Sequence, residues 1–307
     1  MMNRREFLQA SAASMLAGLP AWRVCHACAA HLPLTARGLH FGLKDGIRVT
    51  AAAFHSDLWG VGSSTGGYDL FTLPSLHKKY DATELREING RFGLDEGARS
   101  CDVFVALAHP GDPTSLNAAL EHCEIAKRTG AFTLLLAAEA FPDPEYDQTD
   151  QPRFFDRQLH LKGLPQPDAI FNFMTLEPYM EMVNVASLFS LNHEILHNVD
   201  LADIRTIFDG KSDTVMLEGG AFGPGQGYRA ATEVCRYIER GTLAGRPVKG
   251  AFISFVVDRA NWKLAECCDA LYVFTAALKE GCPIIVAWVP LRGDESDFMG
   301  ITALVTV

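Results

Sequence analysis

Hydrophobic residues in this chain form short continuous runs, and longer segments of mixed polarity separate the runs. Residues 101–108 and 132–138 are continuous apolar runs, which is typical of strands buried on both faces of a sheet. The segment between them, 116–129, has the mixed polarity of a helix and is followed by Gly130, a common helix terminator. Residues 168–173 form a third predicted strand. This alternation of strands and helices predicts an α/β fold with a parallel, doubly wound sheet.

The C-terminal part of the chain predicts a second, smaller unit. Strands are predicted at 214–218, 248–257, 283–290 and 298–307, and helices at 228–239 and 261–280. The glycine-rich segment 219–227 is predicted to be a loop between the first strand and the first helix. This order of elements predicts an α+β domain that follows the parallel-sheet domain.

Residues 1–30 differ in composition from the rest of the chain. Arg4 and Arg5 precede Phe7, Leu8 and a weakly apolar stretch of about 10 residues, which is too short to span a bilayer. A twin arginine before such a stretch is typical of a twin-arginine (Tat) export signal. The sequence therefore predicts a bacterial protein exported to the periplasm or cell envelope. The alternative is a frayed N-terminal helix on a cytoplasmic protein.

Composition and charge exclude several classes of protein. The chain has 307 residues, 48% of them hydrophobic, and a formal net charge of −10. The hydrophobic share excludes disordered and fibrous proteins. A nucleic-acid partner is not expected, because phosphate neutralisation needs clustered Lys and Arg. No transmembrane segment is expected, since no apolar run reaches the roughly 18 residues that a spanning helix needs. The eight scattered cysteines are predicted to act as small hydrophobic residues.

Residues 198–206, at the joint between the two predicted units, read Asn-Val-Asp-Leu-Ala-Asp-Ile-Arg-Thr. This stretch resembles the signature N-[VL]-D-F-A-D-[VI]-R-T of bacterial members of the FtsZ/tubulin family. In the same order, residues 102–105, 124–133 and 248–254 resemble the family's A-D-M-V-F-V, E-I-A-K-E-L-G-A-L-T and A-K-G-V-L-I-N stretches. The resemblance implies a Rossmann-like, GTPase-type domain with a central helix over 31–197. A C-terminal α+β domain would then cover 198–307.

The same resemblance implies catalytic roles for Asn198, Asp200 and Asp203. In the family, the acidic residues of this joint reach a neighbouring subunit and help to position the water that attacks the γ-phosphate of GTP. Carboxylates suit that role because they orient and polarise a nucleophilic water. Self-association, or association with an FtsZ-like protein, is therefore implied. A structural alternative is that Asp200 caps a helix whose dipole favours Asp203, and both readings can hold together.

Two loops correspond to the nucleotide-binding loops of the family, which implies GTP as the ligand, with Mg²⁺ as its companion ion. Residues 60–67 read Gly-Val-Gly-Ser-Ser-Thr-Gly-Gly and resemble G-V-G-G-G-G-G-N. The candidate binding residues in this first loop are Gly60, Gly62, Ser63, Ser64, Gly66 and Gly67. A plain Gly/Ser turn is the structural alternative.

The second loop, residues 111–117, departs from the family's G-G-G-T-G-[TS]-G, in which bare N–H groups at a helix N-terminus cradle phosphates. Gly111 and Thr114 keep the family's residue types, and Ser115 is a further binding candidate. Asp112 adds a negative charge where phosphate binds, and Pro113 removes an N–H donor. The loop therefore predicts weak GTP binding and little or no hydrolysis, as in a pseudo-GTPase.

A rival motif, His-Glu-Ile-Leu-His, occupies residues 193–197. On a helix, His193 and His197 would share one face and could bind Zn²⁺, with Glu194 as the general base. The structural alternative is a polar end to the central helix.

Three functions are therefore open at this point. The residues favour an FtsZ/tubulin-like protein with degenerate GTP-binding loops that acts in assembly or interaction. The alternative is an active, GTP-binding and polymerising FtsZ-like GTPase. A second alternative is an HExxH zinc metallopeptidase.

Replacing both Arg4 and Arg5 with Lys tests the export signal. The double variant should remain in the cytoplasm, because the twin arginine is the distinguishing element of this address. Cell fractionation measures the distribution, and Arg23→Lys, beyond the apolar stretch, is the matched control. Equal export of the double variant and the wild type would contradict the prediction.

Overall fold

The computed structural model describes residues 36–42, 47–55, 84–140, 166–175, 185, 201–208, 212–258, 263–291 and 297–307. The strands are β1 Arg37–Gly42, β2 Val49–Ala53, β3 Glu84–Asn89, β4 Val103–Ala108, β5 Phe132–Ala140, β6 Ala169–Thr175, β7 Asp213–Phe222, β8 Ile238–Glu239, β9 Thr242–Leu243, β10 Arg246–Pro247, β11 Gly250–Asp258, β12 Ile284–Leu291 and β13 Phe298–Thr306. The helices are α1 Gly90–Ser100, α2 Pro113–Arg128, α3 Leu201–Ile207, α4 Gln226–Cys235 and α5 Leu264–Ala277. Within these ranges, no helix is both long enough and apolar enough to cross a membrane.

Ten of the strands form one sheet in the order β12-β11-β13-β7-β6-β5-β4-β2-β1-β3. The pairs β2–β4, β4–β5, β5–β6 and β6–β7 are parallel. β11 and β12 are parallel to each other, and β13 is antiparallel to both β7 and β11. The carboxyl ends of β2, β4, β5, β6, β7, β11 and β12 therefore lie along the same edge of the sheet. The predicted α/β class with a parallel core is confirmed.

Both faces of the central strands are buried, which explains their continuous apolar runs. Val103 and Val105 of β4 belong to the hydrophobic cluster that includes Ile204 of α3. Phe104, between them, belongs to the cluster on the opposite face, with Leu120 of α2. Because side chains alternate between the faces of a strand, a strand covered on both sides needs an apolar residue at every position.

The C-terminal sequence predictions hold for the strands, with one instructive difference. β7 continues through Gly219 and Gly220, which the sequence pattern assigned to a loop, and ends at Phe222. Gly219 pairs with Ile301 of β13, and a Cβ on Gly219 would lie 2.6 Å from the carbonyl oxygen of Ala230 in α4. The glycine therefore allows α4 to cross closely over the strand, rather than making a turn.

The prediction of a helix over 228–239 is wrong at its C-terminal end. Helix α4 stops at Cys235, and a three-stranded ribbon, β8-β9-β10, follows. Its two tight turns have positive φ at two successive residues, Arg240 with Gly241 and Ala244 with Gly245. These are the backbone angles that a two-residue hairpin turn requires. The glycine at the second position of each turn was the available sequence signal.

Four cysteines confirm the prediction that they act as small hydrophobic residues: Cys101, Cys123, Cys235 and Cys267 are all buried. Burial raises the pKa of the Cys101 and Cys235 thiols to about 12. These thiols are therefore protonated and unreactive at neutral pH. Cys268 differs, since its side chain is exposed.

Helix α4 is capped at its N-terminus by a carboxylate from α5. The Gly225 N–H donates to Oε1 of Glu266, and the Gly227 N–H donates to Oε2, both at a distance of 2.9 Å. A Cβ on Gly227 would lie only 1.8 Å from the carbonyl oxygen of Glu266. The two helices can therefore meet here only because residue 227 has no side chain.

Gly227→Ala should lower the free energy of unfolding by about 3 kcal/mol or more, because backbone must move to admit the methyl group. Gly281→Ala is the control, since φ there is +82° but no atom lies within 4 Å of an added Cβ. The control should cost about 1–2 kcal/mol through its left-handed backbone alone. Urea unfolding measures both, and equal losses would contradict the close approach of α4 to α5.

Candidate functional site

The strongest candidate site lies where β2 and β4 end side by side. After β2 the chain continues toward β3 at one end of the sheet, whereas after β4 it continues through α2 to β5 in the opposite direction. In open α/β sheets, ligands bind at the carboxyl ends of the strands at such a topological switch point. Residues 54–55 follow β2, and residues 109–112 join β4 to α2. The second predicted nucleotide loop therefore lies at the expected position.

Asp112 is the N-cap of α2. Its backbone is extended, and its Oδ1 and Oδ2 accept hydrogen bonds from the N–H groups of Thr114 at 2.9 Å and Ser115 at 3.2 Å. The Asp112 carbonyl also accepts from the Leu116 N–H at 3.0 Å. Pro113 occupies the first helical position, where a missing N–H is tolerated. The cap thus occupies the donors that begin this helix.

The residues before Asp112 also bond within the loop. The Gly111 N–H donates to His109 Nδ1 at 3.1 Å, and the Asp112 N–H donates to the His109 carbonyl at 3.1 Å. The His109 N–H in turn donates to Ser115 Oγ at 3.0 Å. Because Pro110 and Pro113 have no N–H, each backbone donor from His109 to Leu116 already has an acceptor in the chain. No backbone donor of this loop is left for a phosphate.

Two histidines lie close together here, His109 in the loop and His55 after β2. His55 Nε2 lies 3.6 Å from Asp112 Oδ2, and the ring centroids of His55 and His109 are 5.2 Å apart. Since Nδ1 of His109 accepts a hydrogen bond, its neutral ring carries the proton on Nε2. Neither histidine belongs to a motif recognised in the sequence. Their available signal was their position, each just beyond the carboxyl end of a buried strand.

Among the predicted residues of this loop, the side chains differ in exposure. Gly111 and Thr114 are exposed, whereas Ser115 is buried and serves as the acceptor for His109. Ser115 therefore stabilises the loop through its buried hydroxyl group rather than facing a ligand. The candidate residues of the first loop, Gly60, Gly62, Ser63, Ser64, Gly66 and Gly67, lie outside the described residues.

Asp203, the described acidic residue of the joint, lies in α3 toward the opposite edge of the sheet. α3 begins at Leu201, directly after Asp200, which with Asn198 lies outside the described residues. Asp203 is exposed in the first turn of α3, and Arg205 Nη2 donates to the Gly130 carbonyl at 2.6 Å. Gly130 precedes the amino end of β5, while Asp112 follows the carboxyl end of β4. Within one chain, the structure therefore does not bring Asp203 to the Asp112 loop.

The metal motif receives no support. His193, Glu194 and His197 lie outside the described residues. In the part of the chain that the structure describes, no group of three or more His, Cys, Asp and Glu side chains could hold a metal ion.

The chain matches no protein-family model and no curated protein by sequence. Among solved structures it is similar to an FtsZ dimer from M. jannaschii, described as empty, with 14% identity over 70% of this chain and 66% of that chain and a TM-score of 0.50. The FtsZ W319Y mutant from M. jannaschii has 14% identity over 70% and 68% of the two chains, with a TM-score of 0.47. CetZ1 from Haloferax volcanii, a GDP-bound monomer, has 10% identity over 70% and 67%, with a TM-score of 0.46.

The parallel core and the likeness to the empty FtsZ dimer define the fold class as α/β. More closely, the fold is FtsZ/tubulin-like, as the sequence resemblance implied. The chain spans about two thirds of the length of those FtsZ chains. At these identities the likeness establishes the fold alone.

Asp112→Ala should lower the free energy of unfolding by about 1 kcal/mol, because it leaves two N–H donors of α2 without their acceptor. Asp112→Ser should retain most of the stability, since a serine oxygen can still accept from the first turn. Urea unfolding of the full chain compares the two variants. Equal losses for Ala and Ser would contradict the capping role.

Proposed function

We propose that this chain is an FtsZ/tubulin-like assembly or interaction protein whose GTP chemistry is degenerate. It would bind GTP weakly and hydrolyse it slowly or not at all. The observation that carries the proposal is the closure of the second nucleotide loop by Asp112. The division into domains at 31–197 and 198–307 is part of the same proposal.

GTP does not fit the second loop as it stands. A phosphate at this helix N-terminus needs free N–H donors and a favourable dipole, and a carboxylate of the chain already uses both. An incoming phosphate would have to displace Asp112 and would meet its negative charge at close range. Gly60, Gly62 and their neighbours in the first loop could supply part of a site, but they do not restore these donors.

Assembly depends on a different part of the molecule. Asn198, Asp200 and Asp203 keep the acidic joint that the family resemblance associates with a neighbouring subunit. Asp203 is exposed at the edge opposite the Asp112 loop, so a head-to-tail contact could bring the joint of one copy to the loop of the next. The similar FtsZ of M. jannaschii is described as a dimer. We therefore propose self-association, or association with an FtsZ-like partner.

The second candidate is an active, polymerising GTPase with GTP and Mg²⁺. The exposed position of Asp203 favours it, since head-to-tail hydrolysis needs an acidic residue at that edge. The state of the second loop separates the candidates. An active enzyme would have to open the Asp112 cap on binding GTP, whereas an assembly protein would keep it closed.

Export is proposed alongside this function. The twin arginine at Arg4 and Arg5 would direct the chain to the periplasm or cell envelope, with a cytoplasmic location as the alternative. An exported protein would not meet the cytoplasmic pool of GTP, which is consistent with a loop that has no free backbone N–H donor for phosphate.

Titration of the full chain with GTP, with and without Mg²⁺, tests the closed loop. We expect a dissociation constant of about 1 mM or weaker for the wild type. Asp112→Gly should tighten binding at least about tenfold, because it releases the Thr114 and Ser115 donors and removes the charge. Asp112→Asn is the matched control, since it removes the charge but keeps a capping oxygen, and it should gain less.

The same samples are examined by sedimentation and for phosphate release. Association that depends on protein concentration but not on GTP would support the assembly role. Micromolar GTP affinity in the wild type, with turnover that rises with protein concentration, would falsify the proposal and establish the active GTPase.

A further inference from the structure

Helix α2 carries a buried histidine at its contact with α1. The side chain of His122 is 1% exposed and lies between two aromatic rings, with centroids 5.1 Å from Phe54 and 6.5 Å from Phe104. Its Nδ1 is 2.8 Å from the carbonyl oxygen of Ala118. Its Nε2 is 3.2 Å from Oδ1 of Asp95 in α1, whose side chain is 25% exposed. Both ring nitrogens therefore face oxygen atoms.

This geometry fixes a proton on Nδ1 and places an acidic group beside Nε2. A carbonyl oxygen only accepts, so Nδ1 at 2.8 Å must hold a proton. A neutral ring would then direct the lone pair of Nε2 at the Asp95 carboxylate, and the other neutral tautomer would direct a lone pair at Ala118. A ring protonated on both nitrogens donates to Ala118 and places its positive charge 3.2 Å from the Asp95 carboxylate, an ion-pair distance without hydrogen-bond geometry.

The surroundings of the ring also favour a cation. The titratable groups on the two helices and beside β2 and β4 are Asp95, Glu96 and Arg99 on α1, Glu121, Cys123, Glu124, Lys127 and Arg128 on α2, and His55 and Cys101, while the side chain of Arg91 on α1 lies outside the described side chains. Of these, Glu124 pairs with Arg128, and Arg99 is exposed. The rings of Phe104 in β4 and of Phe54, just after β2, lie beside the imidazole, and Phe54 is within range of a cation–π contact. Burial disfavours the positively charged form of the ring, and the contacts with Asp95 and Ala118 offset this desolvation cost.

We propose that His122 is a buried imidazolium, paired with Asp95, that makes the docking of α2 on α1 depend on pH. This inference goes beyond the proposed function and does not rest on it. It nevertheless concerns the same helix, because α2 begins at the Asp112 cap. Phe54, against the His122 ring, is followed directly by His55, which contacts Asp112.

The direction in which the stability of the folded chain changes with pH follows from the proton linkage between folded and unfolded states. An unfolded histidine titrates near pH 6.5. Pairing with Asp95 favours the protonated ring in the folded chain, which therefore holds its proton to a higher pH. The stabilisation is complete below about pH 6.5 and is lost as the pH rises through the folded-state titration. Between those limits, one proton makes the unfolding equilibrium constant rise by up to about tenfold per pH unit.

Urea unfolding of the full chain between pH 6 and 9 tests this device. Asp95→Asn removes the charge but leaves an amide N–H that can donate to a neutral Nε2, so this variant should lose the His122 contribution to the pH dependence. The unfolding constant of the wild type relative to Asp95→Asn should rise about tenfold or more across the window. Glu96→Gln, which removes the adjacent exposed carboxylate, is the matched control and should keep the wild-type profile. Identical profiles for wild type and Asp95→Asn would overturn the proposal.

A second measurement needs no variant that could fail to fold. In ¹⁵N-histidine-labelled wild-type protein, one imidazole should carry protons on both nitrogens at pH 7, with slow exchange because it is buried. If no imidazole of the folded chain is doubly protonated at pH 7, the buried imidazolium is excluded.

Discussion

A helix N-terminus offers a small set of backbone N–H donors, and an acceptor that takes them excludes any other anion. In α2 that acceptor is Asp112, whose two oxygens bind the Thr114 and Ser115 N–H groups. The rest of the candidate site depends on this interaction. The sheet still provides a switch point between β2 and β4, but the loop there bonds to itself. α4 shows the same arrangement, since Glu266 from α5 accepts from Gly225 and Gly227.

Parallel strands separate the two chemical regions of the chain. Asp112 lies at the carboxyl edge of the sheet, whereas Arg205 of α3 reaches Gly130 at the amino edge. The six paired residues of β4 and β5 separate these edges by about 20 Å. A site that uses both regions would therefore need a second subunit. The Asp112 cap occupies N–H donors at one edge without involving Asp203 at the other, so the two regions can change independently.

Much of the fold could be predicted from the sequence because strands buried on both faces have unmistakable apolar runs, as in β4 and β5. The departures of Asp112 and Pro113 from a phosphate loop could also be predicted, because capping and proline chemistry are local. Long-range packing could not. Gly219 lies within a strand because α4 crosses it, and no neighbour in sequence indicates this. The contacts of His55 with Asp112 and of His122 with Asp95 join residues that only the sheet brings together.

Helix α2 is held at two points by charge. At its start the Asp112 carboxylate bonds to the helix itself, and in its middle His122 faces Asp95 of α1 across 3.2 Å. The first contact excludes an external anion, and the second replaces water around a buried ring with fixed oxygens. A loop that binds and releases phosphate must be able to change its hydrogen bonds, whereas the backbone donors from His109 to Leu116 are all bonded within the chain. Helix α2 therefore has the physical character of a packing element, since its first backbone donors and its buried histidine both contact groups of the same chain.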